Sequence, residues 1–239
     1  MTAFDESHLM KAFETKIIKL YGEKGKKWLD GLPKLVAQVV EAYGLSHLKP
    51  VKNLSCNYVL SGLQGCRPVI LKLGLDIDAF KRESAALKAF SGFGTVQVLA
   101  ENTGLVLLEC AVPGASLKSY LPEKDDEAIN ITANVIRRLH KAPMPQVHTF
   151  PYVKGWLAAL DTDWDIPAEY LQKARQLRDH LLRTSAKEIL LHGDLHHDNI
   201  LQSRSSRSEA GGDDESQRSS SCPAKLVLCA EARPVRRSA

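Results

Sequence analysis

One stretch near the end of the chain constrains the fold more than any other. Residues 189–201 read ILLHGDLHHDNIL, in which two short apolar runs bracket a core of His, Gly, Asp and Asn. This pattern predicts a strand, a tight polar loop and a second strand. Asp194 and Asn199 lie five positions apart within it. Between two buried strands, their carboxylate and carboxamide can point into one cleft and share one ligand.

That pairing of side chains suits phosphoryl transfer. An aspartate can take the proton of an acceptor hydroxyl, and an asparagine oxygen beyond it can bind Mg²⁺. Four residues separate Asp194 from Asn199, which matches the spacing in the catalytic loop of kinases. The motif therefore favours an ATP-dependent transferase.

Composition excludes several other classes of protein. The chain has 239 residues, 44% of them hydrophobic, which is enough to bury a core in one large or two small domains. A net charge of +4, without a basic stripe interleaved with aromatic residues, argues against a nucleic-acid partner. Five cysteines without C-x-x-C spacing indicate reduced thiols. We find no secretion signal or long apolar run, and we expect a cytoplasmic protein without a membrane partner.

Periodicity divides the chain into four segments. Residues 1–50 predict a helical segment, and residues 51–112 predict an antiparallel sheet with one helix. After Val112 the pattern of residues changes from one typical of strands to one typical of helices, so we place a lobe boundary there. We predict a helical part over residues 113–202 and disorder over residues 203–239. Pro33 is predicted in the first turn of a helix that Gly44 ends. Strands are predicted at 58–60, 68–73, 96–99 and 105–110, and further helices at 78–90, 131–139, 156–160 and 170–182.

A lysine interrupts the apolar strand predicted at 68–73. Lys72 is costly to bury there unless its charge is paired. Glu83 lies in the first half of the next helix and could reach it. Such a pair holds nucleotide phosphates in kinases. From the residues alone, two unrelated surface charges remain the alternative.

Two other function classes stay open at this point. A metal-dependent hydrolase would use His192, His196, His197 and Asp198 as ligands, but it leaves Lys72, Glu83 and Asn199 unexplained. A non-functional or binding-only remnant is the third class. The acidic segment Asp161–Asp165, which contains Trp164, predicts a solvated loop rather than a site for an aminated ligand.

The central motif HGDLHHDN resembles the loop of aminoglycoside phosphotransferases and their choline-kinase-like relatives. More narrowly, the chain from about Tyr21 to Gln202 resembles the aminoglycoside/hydroxyurea antibiotic resistance kinases. The resemblance implies an α+β, bilobal protein-kinase-like fold, with an antiparallel sheet and helices in the N-lobe and a mainly helical, here incomplete, C-lobe. The segments that carry it are Trp28–Val36, Pro68–Leu73, Glu83–Leu87, and Leu107–Glu109 before Pro113-Gly114.

The resemblance also implies an activity and a set of roles. The activity is transfer of phosphate from ATP, with Mg²⁺, to an alcohol group of a small molecule, as in aminoglycoside 6-phosphotransferases. The substrate would be a streptomycin-like aminoglycoside or hydroxyurea, and the result would be antibiotic resistance. The resemblance implies that Asp194 is the catalytic base or the carboxylate that orients the hydroxyl, and that Asn199 is a Mg²⁺ ligand. The other implied roles are phosphate binding for Lys72, orientation of Lys72 for Glu83, adenine contacts for the backbones of Cys110 and Val112, loop bracing for His192, and phosphate covering for Asn53–Tyr58.

The resemblance ends after Gln202. Related kinases continue with an apolar strand ending in an aspartate that binds Mg²⁺, then with helices that complete the acceptor pocket. Here a Ser-, Arg- and Asp-rich stretch follows, and only Lys225–Cys229 is strand-like. We expect that this tail comes from a shifted reading frame or a truncated gene. We also expect impaired activity, because one Mg²⁺ ligand and much of the pocket are missing.

Overall fold

The computed structural model describes residues 6–52, 54–146, 149–185, 188–203 and a short strand at 224–226. Predictions for Asn53 and for the rest of the tail lie outside these residues. The chain forms two compact units, one of residues 1–142 with 191–239 and one of residues 143–190. No described helix is both long and apolar enough to cross a membrane. The elements are α1 (Glu6–Tyr43), β1 (Leu45–Pro50), β2 (Tyr58–Gln64), β3 (Arg67–Leu73), α2 (Ile77–Ala89), β4 (Val98–Asn102), β5 (Leu105–Glu109), β6 (Pro113–Ser116), α3 (Asp125–Leu139), α4 (Val153–Leu157), α5 (Ala168–Thr184), β7 (Ile200–Ser203) and β8 (Ala224–Leu226).

The N-terminal helix α1 begins well before Pro33, where the sequence predicts the first turn of a helix. It is broken at Gly22, where φ is 57° and ψ is −135°, and then continues through Pro33. The prediction that Pro33 lies in a first turn is wrong, because burial of the apolar face on both sides of the proline outweighs the lost hydrogen bond. The predicted end is confirmed, since Gly44 follows with φ of 61°. Residues 45–50, predicted as helical, form β1 instead.

The main sheet has five antiparallel strands in the order β1-β2-β3-β5-β4. The predicted strands within 51–112 are confirmed, and so is the helix that separates them. On one face, Val69, Leu71 and Leu73 of β3 are fully buried against a core that includes Phe13 and Ile17 of α1. Because side chains alternate along a strand, Lys72 points to the opposite face, on which α2 lies.

The loop that the central motif forms precedes β7. Residues 197–199 make one turn of 3₁₀ helix, and β7 pairs with β6 and β8 in a second, three-stranded antiparallel sheet. The strand predicted at Ile189–Leu191 is wrong. Among the described residues, 189–191 do not pair with any strand. Leu190 is buried, whereas Leu191 is exposed, so the apolar residues here reflect the burial of one side chain rather than a strand.

The second unit contains α4, a 3₁₀ turn at 158–161 and α5. Arg178 of α5 contacts Asp161 at 2.6 Å, and Arg175 contacts Asp163 at 3.2 Å. The Trp164 indole donates to the carbonyl of Ala159 at 2.8 Å. The acidic segment is therefore partly neutralised by arginines of its own unit, as expected for a structural loop.

Candidate functional site

The structure brings Lys72 and Glu83 together. Lys72 lies in the centre of the main sheet, paired with Val59 on β2 and Val106 on β5. Its Nζ donates to Oε1 of Glu83 at 2.5 Å, and the two side chains are only 4% and 2% exposed. The alternative of two unrelated surface charges is therefore wrong. A buried ion pair of this kind is costly to dehydrate and is weak evidence for stability, which favours a functional role for it.

The structure also brings Asp194 and Asn199 together. The Asn199 amide nitrogen donates to the Asp194 carbonyl at 2.8 Å and to Asp194 Oδ2 at 3.3 Å. Asn199 is 2% exposed, whereas the side chain of Asp194 is 42% exposed. Because the Asn199 nitrogen is occupied by Asp194, its Oδ1 is the atom that remains for a cation.

His192 braces this loop by a hydrogen bond, as the sequence predicts. Its Nδ1 accepts from the backbone N–H of Asp194 at 3.1 Å. Burial, and to a smaller extent His196, lowers its pKa from 6.5 to about 4. The ring is therefore neutral at pH 7 and carries its proton on Nε2. That Nε2 is buried and has no hydrogen-bond partner among the described residues.

A third group of side chains surrounds the loop. His196 Nε2 lies 3.7 Å from Asp194 Oδ2, and its Nδ1 accepts from the Asp198 N–H at 3.3 Å. Ser116 donates to the carbonyl of His197 at 2.9 Å and so ties β6 to the loop. Sequence reasoning missed Ser116, whose only local signal is its position as the cap of the turn at 117–120.

The backbone predicted to meet adenine is partly occupied. The Cys110 N–H donates to the carbonyl of Pro68 at 3.2 Å, so only the carbonyl of Cys110 is left to contact a base edge. Val112 follows with a side chain that is exposed. Burial, followed by Glu109, raises the pKa of the Cys110 thiol, which keeps it protonated. The adenine role of both backbones stays a prediction.

The oxygen donors fit Mg²⁺ better than they fit a metal held by the protein alone. Mg²⁺ commonly uses one or two protein oxygens and takes its other ligands from phosphates and water. Asn199 Oδ1 could supply one such oxygen. Within the described ranges, no group of three His, Cys, Asp or Glu side chains could hold a metal ion. The hydrolase alternative therefore gains no support from the described residues.

The chain is similar to known proteins over most of its length. The aminoglycoside/hydroxyurea antibiotic resistance kinase family matches residues 46–209. Streptomycin 6-kinase of Streptomyces griseus is 28% identical over 217 residues, covering 84% of this chain and 68% of that protein. Hydroxyurea phosphotransferase of Kitasatospora aureofaciens is 27% identical over 194 residues, covering 75% and 56%.

Solved structures show the same fold. The crystal structure of aminoglycoside phosphotransferase APH(4)-Ia has a TM-score of 0.55 at 17% identity, over 71% of this chain and 67% of that one. A choline/ethanolamine kinase family protein from Mesorhizobium loti has a TM-score of 0.50 at 17% identity, over 69% and 57%. The expected α+β, protein-kinase-like fold is thereby confirmed. The chain spans 54–68% of the length of the curated relatives it matches. Since the family match covers well over half of the sequence, the chain belongs to the aminoglycoside/hydroxyurea antibiotic resistance kinase family.

Proposed function

We propose that the chain transfers the γ-phosphoryl group of ATP, with Mg²⁺, to a hydroxyl group of a streptomycin-like aminoglycoside or of hydroxyurea. The observation that carries this proposal is the contact between Asp194 and the buried Asn199. It holds a half-exposed carboxylate beside an amide whose oxygen is left for a cation. The names of the relatives, which include streptomycin 6-kinase and hydroxyurea phosphotransferase, support the two substrate classes.

Each half of the site has its own task in this mechanism. Asp194 Oδ2 faces Asn199 and His196, so we assign Oδ1 to the acceptor hydroxyl and to its proton. Lys72, oriented by Glu83, places a positive charge against the α- and β-phosphates. Mg²⁺, when bound, would neutralise phosphate charge, and Asn199 Oδ1 would be its ligand. His192, neutral and bonded to the Asp194 N–H, fixes the loop without moving a proton.

A binding-only protein is the second candidate. The observation that favours it is the amino-acid sequence after Gln202, in which no apolar run is followed by an aspartate of the kind that binds Mg²⁺ between the β- and γ-phosphates in kinases. We infer from this pattern that turnover is low. We also keep the lobe boundary near Val112 as part of the proposal, and we place the reaction in the cytoplasm, where ATP is supplied.

Transfer from radiolabelled ATP to streptomycin, other aminoglycosides and hydroxyurea tests the proposal. We expect Asp194→Asn to lower turnover by about 10²–10⁴-fold, because it removes the group that positions and deprotonates the hydroxyl. The Kd for MgATP, measured by calorimetry, should stay within about threefold, because Asp194 acts mainly in transfer. Asp30→Asn, an exposed change of the same chemistry on α1, is the matched control.

The outcomes separate the two candidates. Near-normal turnover in Asp194→Asn would refute the role of that carboxylate. MgATP binding by the unchanged chain without transfer to any acceptor would favour the binding-only protein. If the unchanged chain fails to bind MgATP, the nucleotide site itself is wrong.

A further inference from the structure

The helix that carries Glu83 is attached to the sheet at a second point. Ser84, the next residue, is 2% exposed and donates its hydroxyl proton to Oε2 of Glu101 on β4. One turn further along α2, Lys88 donates to Oε1 of the same carboxylate at 2.5 Å. Glu101 thus holds two successive turns of α2 with its two oxygens. We call these three residues the Glu101 tether.

The tether and the ion pair lie in one row across the sheet. Glu101 on β4 is paired with Val106 on β5, and Val106 is paired with Lys72 on β3. Paired residues of neighbouring strands project to the same face, so Lys72 and Glu101 face α2 two strands apart, about 10 Å. The adjacent residues Glu83 and Ser84 contact these two positions, one each.

Apolar packing alone does not hold this flank of α2. A cleft of about 390 Å³ that is open to solvent lies between α2 and the β4–β5 hairpin, and its lining residues include Phe80, Lys88, Glu101 and Leu105. Phe80 and Leu87 pack the buried side of α2, but dense apolar contacts do not extend across this cleft. Here the polar contacts of Glu101 bridge the flank, and hydrogen bonds to a charged group are the stronger kind.

We propose that Glu101 is a positioning residue for the Lys72–Glu83 ion pair: it ties α2 to β4 through Ser84 and Lys88 and so keeps Glu83 within reach of Lys72. Ser84 is buried, whereas the Lys88 and Glu101 side chains are 55% and 45% exposed, so solvent screens the contact with Lys88 more than the contact with Ser84. Both contacts lower the pKa of Glu101, the hydrogen bond from Lys88 most and the hydrogen bond from Ser84 next, as expected for a carboxylate that accepts from both side chains. The effect on nucleotide binding rests on the function proposed above, but the effect on Lys72 does not.

The direct test is the reactivity of Lys72 toward an acetylating N-hydroxysuccinimide ester, followed peptide by peptide with mass spectrometry. Lys72 is 3% exposed and should react slowly in the unchanged chain. We expect Glu101→Gln and Ser84→Ala each to raise the rate at Lys72 by about tenfold, the ratio that loss of one charge-assisted hydrogen bond supplies. The rate at exposed Lys26 should not change. Glu83→Gln, which removes the partner directly, sets the upper limit.

Two controls separate positioning from general destabilisation. Glu127→Gln breaks an exposed ion pair with Lys124 at 3.6 Å, and it should leave Lys72 unreactive. Ile17→Val lowers stability through the α1 core without touching α2, and it too should leave Lys72 unreactive under conditions where the protein stays folded. Equal Lys72 rates in Glu101→Gln, Ser84→Ala and the unchanged chain, beside a raised rate in Glu83→Gln, would overturn the proposal.

Measurements of ATP binding and of the KM for ATP then distinguish this proposal from the function on which it rests. In Glu101→Gln we expect the KM for ATP to rise by up to about tenfold, with kcat changed less, because the tether sets the fraction of molecules with an aligned Lys72. If the unchanged chain binds no MgATP while Glu101→Gln still exposes Lys72, the proposed function fails and the tether stands. Normal ATP affinity in Glu101→Gln beside lost affinity in Lys72→Met would overturn the tether alone.

Discussion

His192 makes one effect of pH on stability calculable. Its folded-state pKa of about 4 lies below the ordinary value of 6.5. A histidine with a lowered folded-state pKa binds its proton more tightly in the unfolded chain than in the folded protein. The contribution of neutral His192 to the free energy of unfolding is therefore complete above about pH 6.5 and is lost as the pH falls toward 4. At 1.36 kcal/mol per pKa unit, the whole effect is about 3 kcal/mol, of which about 2 kcal/mol is lost between pH 7 and pH 5.

The hydrogen bond of His192 explains why protonation also affects the site. Nδ1 accepts from the N–H of Asp194, so a second proton has to enter at the atom that now holds the loop. The charged ring would be buried, and two donors would face each other across 3.1 Å. We therefore expect acid to loosen the loop around Asp194 together with the fold.

Urea unfolding at pH 7, 6 and 5, followed by tryptophan fluorescence, measures the effect. His192→Asn keeps an acceptor near the position of Nδ1 but does not titrate, so the difference between the unchanged chain and this variant isolates His192 from all other groups. The difference in the free energy of unfolding should shift by about 2 kcal/mol from pH 7 to pH 5. His140→Asn, at the exposed end of α3, should follow the unchanged chain. Parallel loss of stability in the unchanged chain and His192→Asn would refute the argument that burial holds the ring neutral.

Two further predictions concern stability. Lys72→Met should lower the free energy of unfolding by about 3–5 kcal/mol in a urea titration, because it leaves Glu83 buried and unpaired. Adding Glu83→Leu should recover most of this loss. A double variant as unstable as Lys72→Met alone would contradict the prediction. Gly94→Ala should lower the melting temperature more than Gly92→Ala. Both positions have positive φ, but only the new methyl group at Gly94 would collide with the guanidinium of Arg138. Equal melting temperatures in the two variants would show that Arg138 moves away freely.

Sequence patterns predicted β2 to β5 and α2 because local periodicity matches their burial. The alternation in β3 and the helical spacing in α2 reflect faces that are in fact buried. The patterns failed at Pro33, where core contacts override a local signal, at residues 45–50, which form β1 rather than helix, and at Ile189–Leu191, where only Leu190 is buried and no strand forms. These errors come from tertiary context, which periodicity does not contain.

The same distinction applies to the site. Asp194 and Asn199 are recognisable because the chemistry of both residues and their spacing lie within one short loop. Lys72 and Glu83 needed the family resemblance, since eleven positions and a turn separate them. Glu101 was not predicted at all, because a glutamate near a strand end is ordinary until the register places it in the row of Lys72. Residues that act through other residues leave little trace in a single sequence.

The two halves of the site are held by different kinds of structure, and this decides what each variant should disturb. Lys72 is fixed by a five-stranded sheet and by a helix attached at Glu83 and Ser84, so damage there should appear first as weaker nucleotide binding. Asp194 is fixed within its own loop by His192 and Asn199, so damage there should appear first in the transfer step. If Glu101→Gln lowered kcat while leaving the KM for ATP unchanged, this division would be wrong, because the tether would then act on the loop rather than on the ion pair.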